Sequence, residues 1–420
     1  MHRKYLVVLL IVVLAIASSS VARAQDIQLS YMMWGSPEEL QVWQTIVDEF
    51  QAANPGIKVD VDVSDWGAYW DKLRTLFAGS TPPDVFAMDA PLYPDWQSRG
   101  ALLNLQPYLD KSPDLLVDVY PVTLETYKRD DGYYGLPRDF QTIVLFYNKD
   151  LFDAAGVAYP TDDWTMDDLR TAAKALTKDN DGDGFTDQWG FSTDLYDMEL
   201  FWSGALWGYG GEVISADRTK TLLGDGTARD AWHFISDLVT VDKSVPTPEQ
   251  IAQFGDPFGA GVAAMTTYGH WVVPEYANLP FKWDVAAFPA GPAGRATSIN
   301  SAGFVVAAGS KNPDAAWKFL EYAIGPSGQT RLTELGFAIP ILKSVAESPI
   351  YLEQTSAPIN HKVFLDAVGY AHPKPAFKGY EEWAAVVGDT LTRAWNGEIG
   401  IDEALDEIVP NADSVLANNQ

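Results

Sequence analysis

The chain has 420 residues, 57 acidic against 29 basic side chains and no cysteine. Such a charge repels nucleic acid and anionic lipid, and a chain without cysteine folds without disulfides. The length predicts two or three domains with room for a large core.

The first elements in chain order form a targeting signal. His2-Arg3-Lys4 is a basic start, Leu6 to Ile16 is apolar, and Ala22-Arg23-Ala24 has the small-residue spacing of a cleavage site. This predicts a signal peptide over residues 1–24 and a mature chain that is periplasmic or extracellular. The apolar run is too short for an ordinary membrane span, although an uncleaved anchor is the competing reading. No cysteine follows to carry a lipid. Cleavage removes Arg3, Lys4 and Arg23 and no acid, leaving 26 basic against 57 acidic side chains, a net charge of −31.

Leu29–Trp34 reads as a first strand. Ser36-Pro37-Glu38-Glu39 then has the S-x-x-E pattern of a capping box, and Leu40, Trp43, Val47 and Phe50 make one helical stripe. Ile57, Val59, Val61 and Val63 alternate with polar residues as a strand. Trp70, Leu73 and Phe77 mark a helix, and Asp84–Met88 reads as a buried strand. This β-α-β-α-β order predicts a mostly parallel sheet whose ligands bind at strand carboxyl ends, where Trp34, Asp65, Trp66 and Asp89 fall. Gly132–Asp139 reads as turn-rich, with a domain crossing near residue 140. A second α/β region is expected to about 300, with helices at 167–177 and 227–240. Residues 288–303 read as a Pro/Gly-rich loop before a short apolar strand. A helix capped by Asn312 follows, then a second one ended by Gly336. Helical stripes recur at 383–395 and 402–416.

Three groups of residues carry candidate chemistry. The first is aromatic. Fifteen tryptophans exceed what such a core usually needs, and Trp34, Trp66, Trp202, Trp207 and Trp271 stand at breaks. Aromatic faces complement the C–H face of a sugar ring; the competing reading is packing. The second group is Asp89 and Asp139, carboxylates able to accept from vicinal hydroxyls, or to act as the acid and base of a glycosidase, or simply to cap and turn. The third is Asp179-Asn180-Asp181-Gly182-Asp183-Gly184-Phe185-Thr186-Asp187. Asp179, Asp181, Asp183, the Phe185 carbonyl and Asp187 match the start of a calcium loop, but Gly190 stands where a glutamate would complete it. Calcium there would be structural, and the competing reading is an acidic turn. No cofactor is expected for function. Hydrolase, zinc-protease and nucleotide-binding motifs do not occur.

In order along the chain, Phe50-Gln51-Ala52-Ala53-Asn54-Pro55-Gly56-Ile57-Lys58-Val59, Pro83-Asp84-Val85, Tyr134-Gly135-Leu136-Pro137 with Tyr147-Asn148-Lys149, Gly261-Val262-Ala263-Ala264-Met265 before Gly269-His270-Trp271, and the 288–340 segment resemble one family. It is the extracellular solute-binding proteins of ATP-driven importers, in the sugar-binding group that includes maltose- and trehalose-binding proteins. The resemblance spans nearly all of the mature chain. It implies an α/β, two-lobed periplasmic-binding-protein fold of type II, each lobe a mostly parallel sheet flanked by helices. Residues 25–138 and 301–340 would form one lobe, and 139–300 with 341–420 the other. It also implies a monomer that closes on a carbohydrate and presents it to membrane permease subunits. On matching positions, Asp89 and Asp139 would bind hydroxyls, Trp271 would stack, and Gly303 would let backbone approach the sugar. Trp34, Asp65, Trp202, Trp207, Asn300 and Pro340 are further candidates. Arg138 departs from the pattern and would suit a carboxylate or phosphate. The alternatives are therefore a secreted glycoside hydrolase using an aspartate pair, or a binder of a glycerophosphodiester or opine-like acid using Arg138 or Arg393.

Overall fold

The computed structural model describes residues 26–129 and 131–419, so the predicted signal peptide lies outside the described residues. Two separate sheets organise the chain. The first begins with β1 (Ile27–Trp34), α1 (Pro37–Ala53), β2 (Ile57–Ser64), α2 (Trp66–Ala78) and β3 (Val85–Asp89). β1 pairs in parallel with both β2 and β3, Ile27 opposite Ile57 and Tyr31 opposite Val85. The register places the carboxyl ends of all three strands together. Trp34, Asp65 and Asp89 therefore stand along one edge.

Three later strands complete this sheet. β4 (Leu136–Thr142) is buried throughout, and β5 (Val144–Asn148) follows after one residue but belongs to the second sheet. The chain thus changes sheets between Thr142 and Val144. The expectation of turns over 132–139 is corrected from Leu136 onward. Polar residues are tolerated in this buried strand because each has a partner: the Thr142 hydroxyl donates to the Phe364 carbonyl at 2.7 Å, for example.

The second sheet holds β5 between β6 (Met265–Tyr268) and β7 (Trp283–Ala286), antiparallel to both. Parallel contacts here are single bridges, Trp189 to Ala263 and Ser192 to Thr266. Helices α3 (Met166–Leu176) and α4 (Trp202–Gly208) precede β6, and the single turn α5 (Val273–Tyr276) follows it.

β8 (Thr297–Val306) returns to the first sheet, antiparallel to β3 and β4. It is ten residues long, so residues 297–303 of the expected loop are strand. Two of its small polar residues, which mimic a loop in sequence, are satisfied by neighbouring backbone, while the buried Ser298 hydroxyl has no partner. The Thr297 hydroxyl donates to the Ile143 carbonyl and the Ser301 hydroxyl to the Asp139 carbonyl, at 2.7 and 3.0 Å. α6 (Pro313–Ile324) and α7 (Pro326–Glu334) follow as the pattern predicts, burying Trp317, Leu320, Ala323 and Ile324. Asn312 holds the N-cap position of α6, but its side chain makes no capping bond. Tyr31, Trp43, Phe304 and Phe319 join strands to helices in one aromatic cluster. β9 (Ala371–Pro373) adds to the start of β8, and α8 (Tyr380–Trp395) packs on α9 (Ile401–Asn418). Among the described residues no helix is long and apolar enough to cross a membrane.

Candidate functional site

A cavity of about 580 Å³ lies between the two sheets. β1 to β3 supply Trp34, Asp65, Trp66 and Asp89 to its lining. The crossing strands β4 and β8 supply Arg138, Asp139, Gln141 and Asn300, and the second sheet supplies Tyr268, Trp271, Asp256 and Glu275. Eight of the twelve residues singled out for binding thus meet in one place: Trp34, Asp65, Trp66, Asp89, Arg138, Asp139, Trp271 and Asn300.

Aromatic rings stand on both walls. Trp34 meets Trp66 edge-on at 5.0 Å and Tyr69 at 5.3 Å, while Trp66 remains 47% exposed. Asp65 accepts from the Ala68 N–H at 3.0 Å, capping α2 and so fixing where Trp66 starts. Across the cavity, Trp271 stands edge-on to Tyr268 at 6.2 Å. A side chain on Gly269 would collide with the Trp271 ring, so this ring position requires glycine there.

The charged residues form two networks. In the first, the Arg138 Nε donates to Asp139 at 2.7 Å, and its guanidinium donates to the Tyr31 hydroxyl at 3.3 Å and lies over Trp43 at 5.1 Å. Arg138 and Asp139 side chains are both 2% exposed. Burial pushes the Tyr31 hydroxyl up to about 12 against the opposing pull of Arg138. Glu39 joins this wall. Its N–H donates to the Ser36 hydroxyl oxygen at 3.2 Å, and its carboxylate lies back over Gly35 near the Ser36 N–H without completing the expected capping box. Glu39 also lines the cavity, and burial pushes its pKa up to about 8, with Arg138 opposing.

In the second network, Asn300 Nδ2 donates to Asp89 at 2.7 Å and to Glu199 at 3.1 Å. The buried Lys374 ammonium pairs with Glu199 at 3.0 Å and Asp197 at 3.1 Å. Burial pushes Glu199 up to about 7 and raises Asp89 as well, while Lys374 opposes both. Glu39, Asp197, Glu199, Glu275 and Lys374 were not legible as site residues. Lys374 lies far along the chain in a Lys-Pro run and Glu39 was assigned to a cap; no local pattern marks either.

Four of the twelve candidates lie elsewhere. Trp202 and Trp207 are buried along α4, Trp202 against Trp232 at 5.1 Å and Trp207 stacked on His372 at 4.7 Å. Gly303 does not line the cavity: a Cβ there would come within 2.5 Å of the Tyr127 ring, whose hydroxyl donates to the Ser301 carbonyl at 2.8 Å. Pro340 is buried beside Ile339, which bridges Phe140. Arg393 is also remote, paired with Glu407 at 2.8 Å between α8 and α9. In the acidic loop, carboxylate oxygens of Asp179, Asp181 and Asp187 converge within 4.8 Å. Asp183 accepts from the Phe185 N–H at 2.8 Å instead, and Phe185 is exposed. A side chain at Gly190 would collide with the Ala173 backbone, so the twelfth position cannot carry a ligand.

The sequence profile of the bacterial extracellular solute-binding proteins matches residues 34–330. A putative binding protein of Brucella abortus (strain 2308) is 26% identical over 417 residues, covering 96% of each chain. The galactooligosaccharide-binding protein of Bacillus subtilis (strain 168) is 23% identical over 416 residues, covering 94% of this chain and 91% of its own. The structure of an ABC substrate-binding protein from Listeria monocytogenes in complex with cycloalternan superposes with a TM-score of 0.85 at 26% identity, covering 94% of this chain and 99% of that one. The architecture is the two-lobed, type II periplasmic-binding-protein fold, with the cavity as its interlobe cleft. By profile, length and fold, the chain belongs to the bacterial extracellular solute-binding proteins.

Proposed function

We propose that the protein is the substrate-binding component of an ATP-driven carbohydrate importer. It captures a sugar or oligosaccharide by hinge closure and delivers it to membrane permease subunits. The observation that carries this reading is the interlobe cleft, with tryptophans on both walls and carboxylates along its edges. Aromatic faces take the C–H face of a pyranose and carboxylates accept from its hydroxyls. A ligand touching both lobes favours the closed state by its differential affinity, and the permease reads that state. The lobes divide near 138–143 and 300, and β4 and β8 are the crossings that bend. The protein works as a monomer outside the cytoplasm after loss of residues 1–24, without nucleic acid.

The protein acts without turnover. A glycosidase needs one carboxyl free to donate and another free to attack, whereas Asp139 is held in an ion pair with Arg138. The anionic-ligand alternative is disfavoured for the same reason, since Arg138 is engaged and Arg393 is remote. Calorimetry against neutral mono- and oligosaccharides and glycerophosphodiesters tests the reading. Saturable, one-site binding of a sugar is expected. Release of reducing ends from a bound oligosaccharide, abolished in Asp139→Asn, would instead establish the hydrolase.

The acidic loop is proposed to hold a structural calcium through Asp179, Asp181 and Asp187, with Asp183 as an outer contact. Three converging carboxylates fit a hard cation, though without the bidentate twelfth ligand the site is weak. Added calcium should raise the melting temperature of the native chain and leave that of Asp179→Asn unchanged; equal responses would remove the site.

A further inference from the structure

The cleft is short of hydrogen-bond donors. Its lining carries nine carboxylates (Glu39, Asp65, Asp89, Asp139, Asp194, Asp197, Glu199, Asp256 and Glu275) against two cations, Arg138 and Lys374. Both cations already face carboxylates of the same lining. The amides are engaged too. Gln141 gives its NH2 to Asp139 at 3.4 Å and takes the His270 N–H at 2.9 Å, while Asn300 gives its NH2 to Asp89 and Glu199 and takes the Ser301 N–H at 3.0 Å. A neutral hydroxyl both donates and accepts, so a site for neutral sugar alone is served by donors and acceptors together. This lining offers acceptors. Its remaining donors are the Ser36 and Tyr268 hydroxyls and the indole N–H groups.

One buried acceptor lacks an ion pair. Glu39 is 9% exposed and lines the cavity; its carboxylate lies back over Gly35 with the Ser36 N–H as a neutral contact, and among the described residues it has no ion pair. Burying a carboxylate that lacks an ion pair is costly unless a proton or a cation meets it. Glu275 faces it from the opposite lobe, also without an ion pair among the described residues, and the two repel. Trp34 and Trp66 on one side and Trp271 on the other add rings of the kind that attract cations, and Arg138 already lies over Trp34 at 5.6 Å.

Building on the carbohydrate reading, we infer that the cleft selects a ligand carrying a protonated amine, an amino sugar or aminated oligosaccharide, whose ammonium sits between Glu39 and Glu275. The ammonium donates three hydrogen bonds and accepts none, which matches an acceptor-rich pocket. The groups facing Glu39 are Arg138 and Asp139 from β4, Tyr31 from β1, Glu275 from α5 and the Ser36 N–H. In the empty cleft Glu39 holds a proton near neutral pH; an arriving ammonium displaces it to the buffer, and the carboxylate then pairs with the cation.

The test is calorimetry of the full mature chain with matched pairs: β-1,4-linked glucosamine oligomers against cello-oligosaccharides, and glucosamine and galactosamine against glucose and galactose. Malto-oligosaccharides and spermidine complete the panel. The pH is kept below the titration of the sugar amine. Amino sugars should bind about tenfold or more tightly than their neutral partners, with proton release visible as a binding enthalpy that depends on the buffer. The preference should shrink with salt and vanish in Glu39→Gln, and also in Glu275→Gln, an exposed position that spares folding. Neutral sugars binding as tightly as aminated ones would overturn the inference and leave the carbohydrate reading standing. Spermidine binding without any sugar would support the cation site and overturn the carbohydrate reading. Binding of none of these would overturn both.

Discussion

At the scale of the residue, the cleft gathers groups whose charge is held by neighbours rather than by water. Arg138 and Asp139 are the clearest case. Removing one partner of a buried ion pair leaves the other uncompensated, so Asp139→Asn should cost about 3–5 kcal/mol of stability, measured by urea denaturation. A stable Asp139→Asn protein would mean that the pair is not buried as described. Glu39 gives a prediction of opposite sign. Its folded pKa is raised to about 8 from the ordinary 4.5, so the folded state holds the extra proton between those values. Stability from this group therefore falls as pH rises through that window, by about 1.4 kcal/mol per pH unit where the difference in protonation is complete. Glu39→Gln removes the effect, so its melting temperature should gain on the native chain at pH 9 but not at pH 4. Trp271→Ala should weaken sugar binding about tenfold or more while leaving the fold intact. Trp207→Ala should instead lower stability, because that buried ring packs along α4 and is covered by His372. Trp207 precedes Gly208 and Trp271 follows Gly269-His270, so a glycine lies close to both in the sequence, and only the fold shows that Trp207 is packed away from the cleft.

At the scale of the element, β8 ties the two halves of the molecule together. It pairs with β3, β4 and β9 at once, and its Gly303 leaves room for the Tyr127 ring. Gly303→Ala should cost about 1–3 kcal/mol through overpacking, read as a fall in melting temperature larger than that of an alanine placed at the exposed Gly309. Most helices and the first parallel strands were legible, since their periodicity, caps and breaks are local: α6 and α7 end at Gly325 and Gly336 as read. β4 and β8 were not. Their glycines, prolines and hydroxyls mimic loops, and only strand neighbours distant in sequence satisfy their polar groups. At Ser36 the box is incomplete as well, because the Glu39 carboxylate lies over Gly35 at the wall of the cleft.

At the scale of the molecule, two lobes facing each other across carboxylate-lined walls imply an equilibrium between open and closed forms. Saturating ligand should lower the radius of gyration in small-angle scattering. An engineered disulfide that holds the lobes apart, unambiguous in a chain without cysteine, should abolish binding until reduced. Unchanged affinity in the locked form would exclude hinge closure as the binding step. By itself the sequence determined the acidic, disulfide-free character, the β-α-β-α-β start and the family resemblance, because these reside in composition, periodicity and short ordered motifs. It also placed Trp34, Asp65, Trp66 and Asp89 at the strand ends where ligands bind. Only the tertiary structure decided which aromatic rings reach the cleft, that Arg138 is neutralised by its neighbour, and that Glu39, Glu199 and Lys374 line the same cavity. Those facts depend on burial and on contacts between residues hundreds of positions apart, which no local pattern encodes.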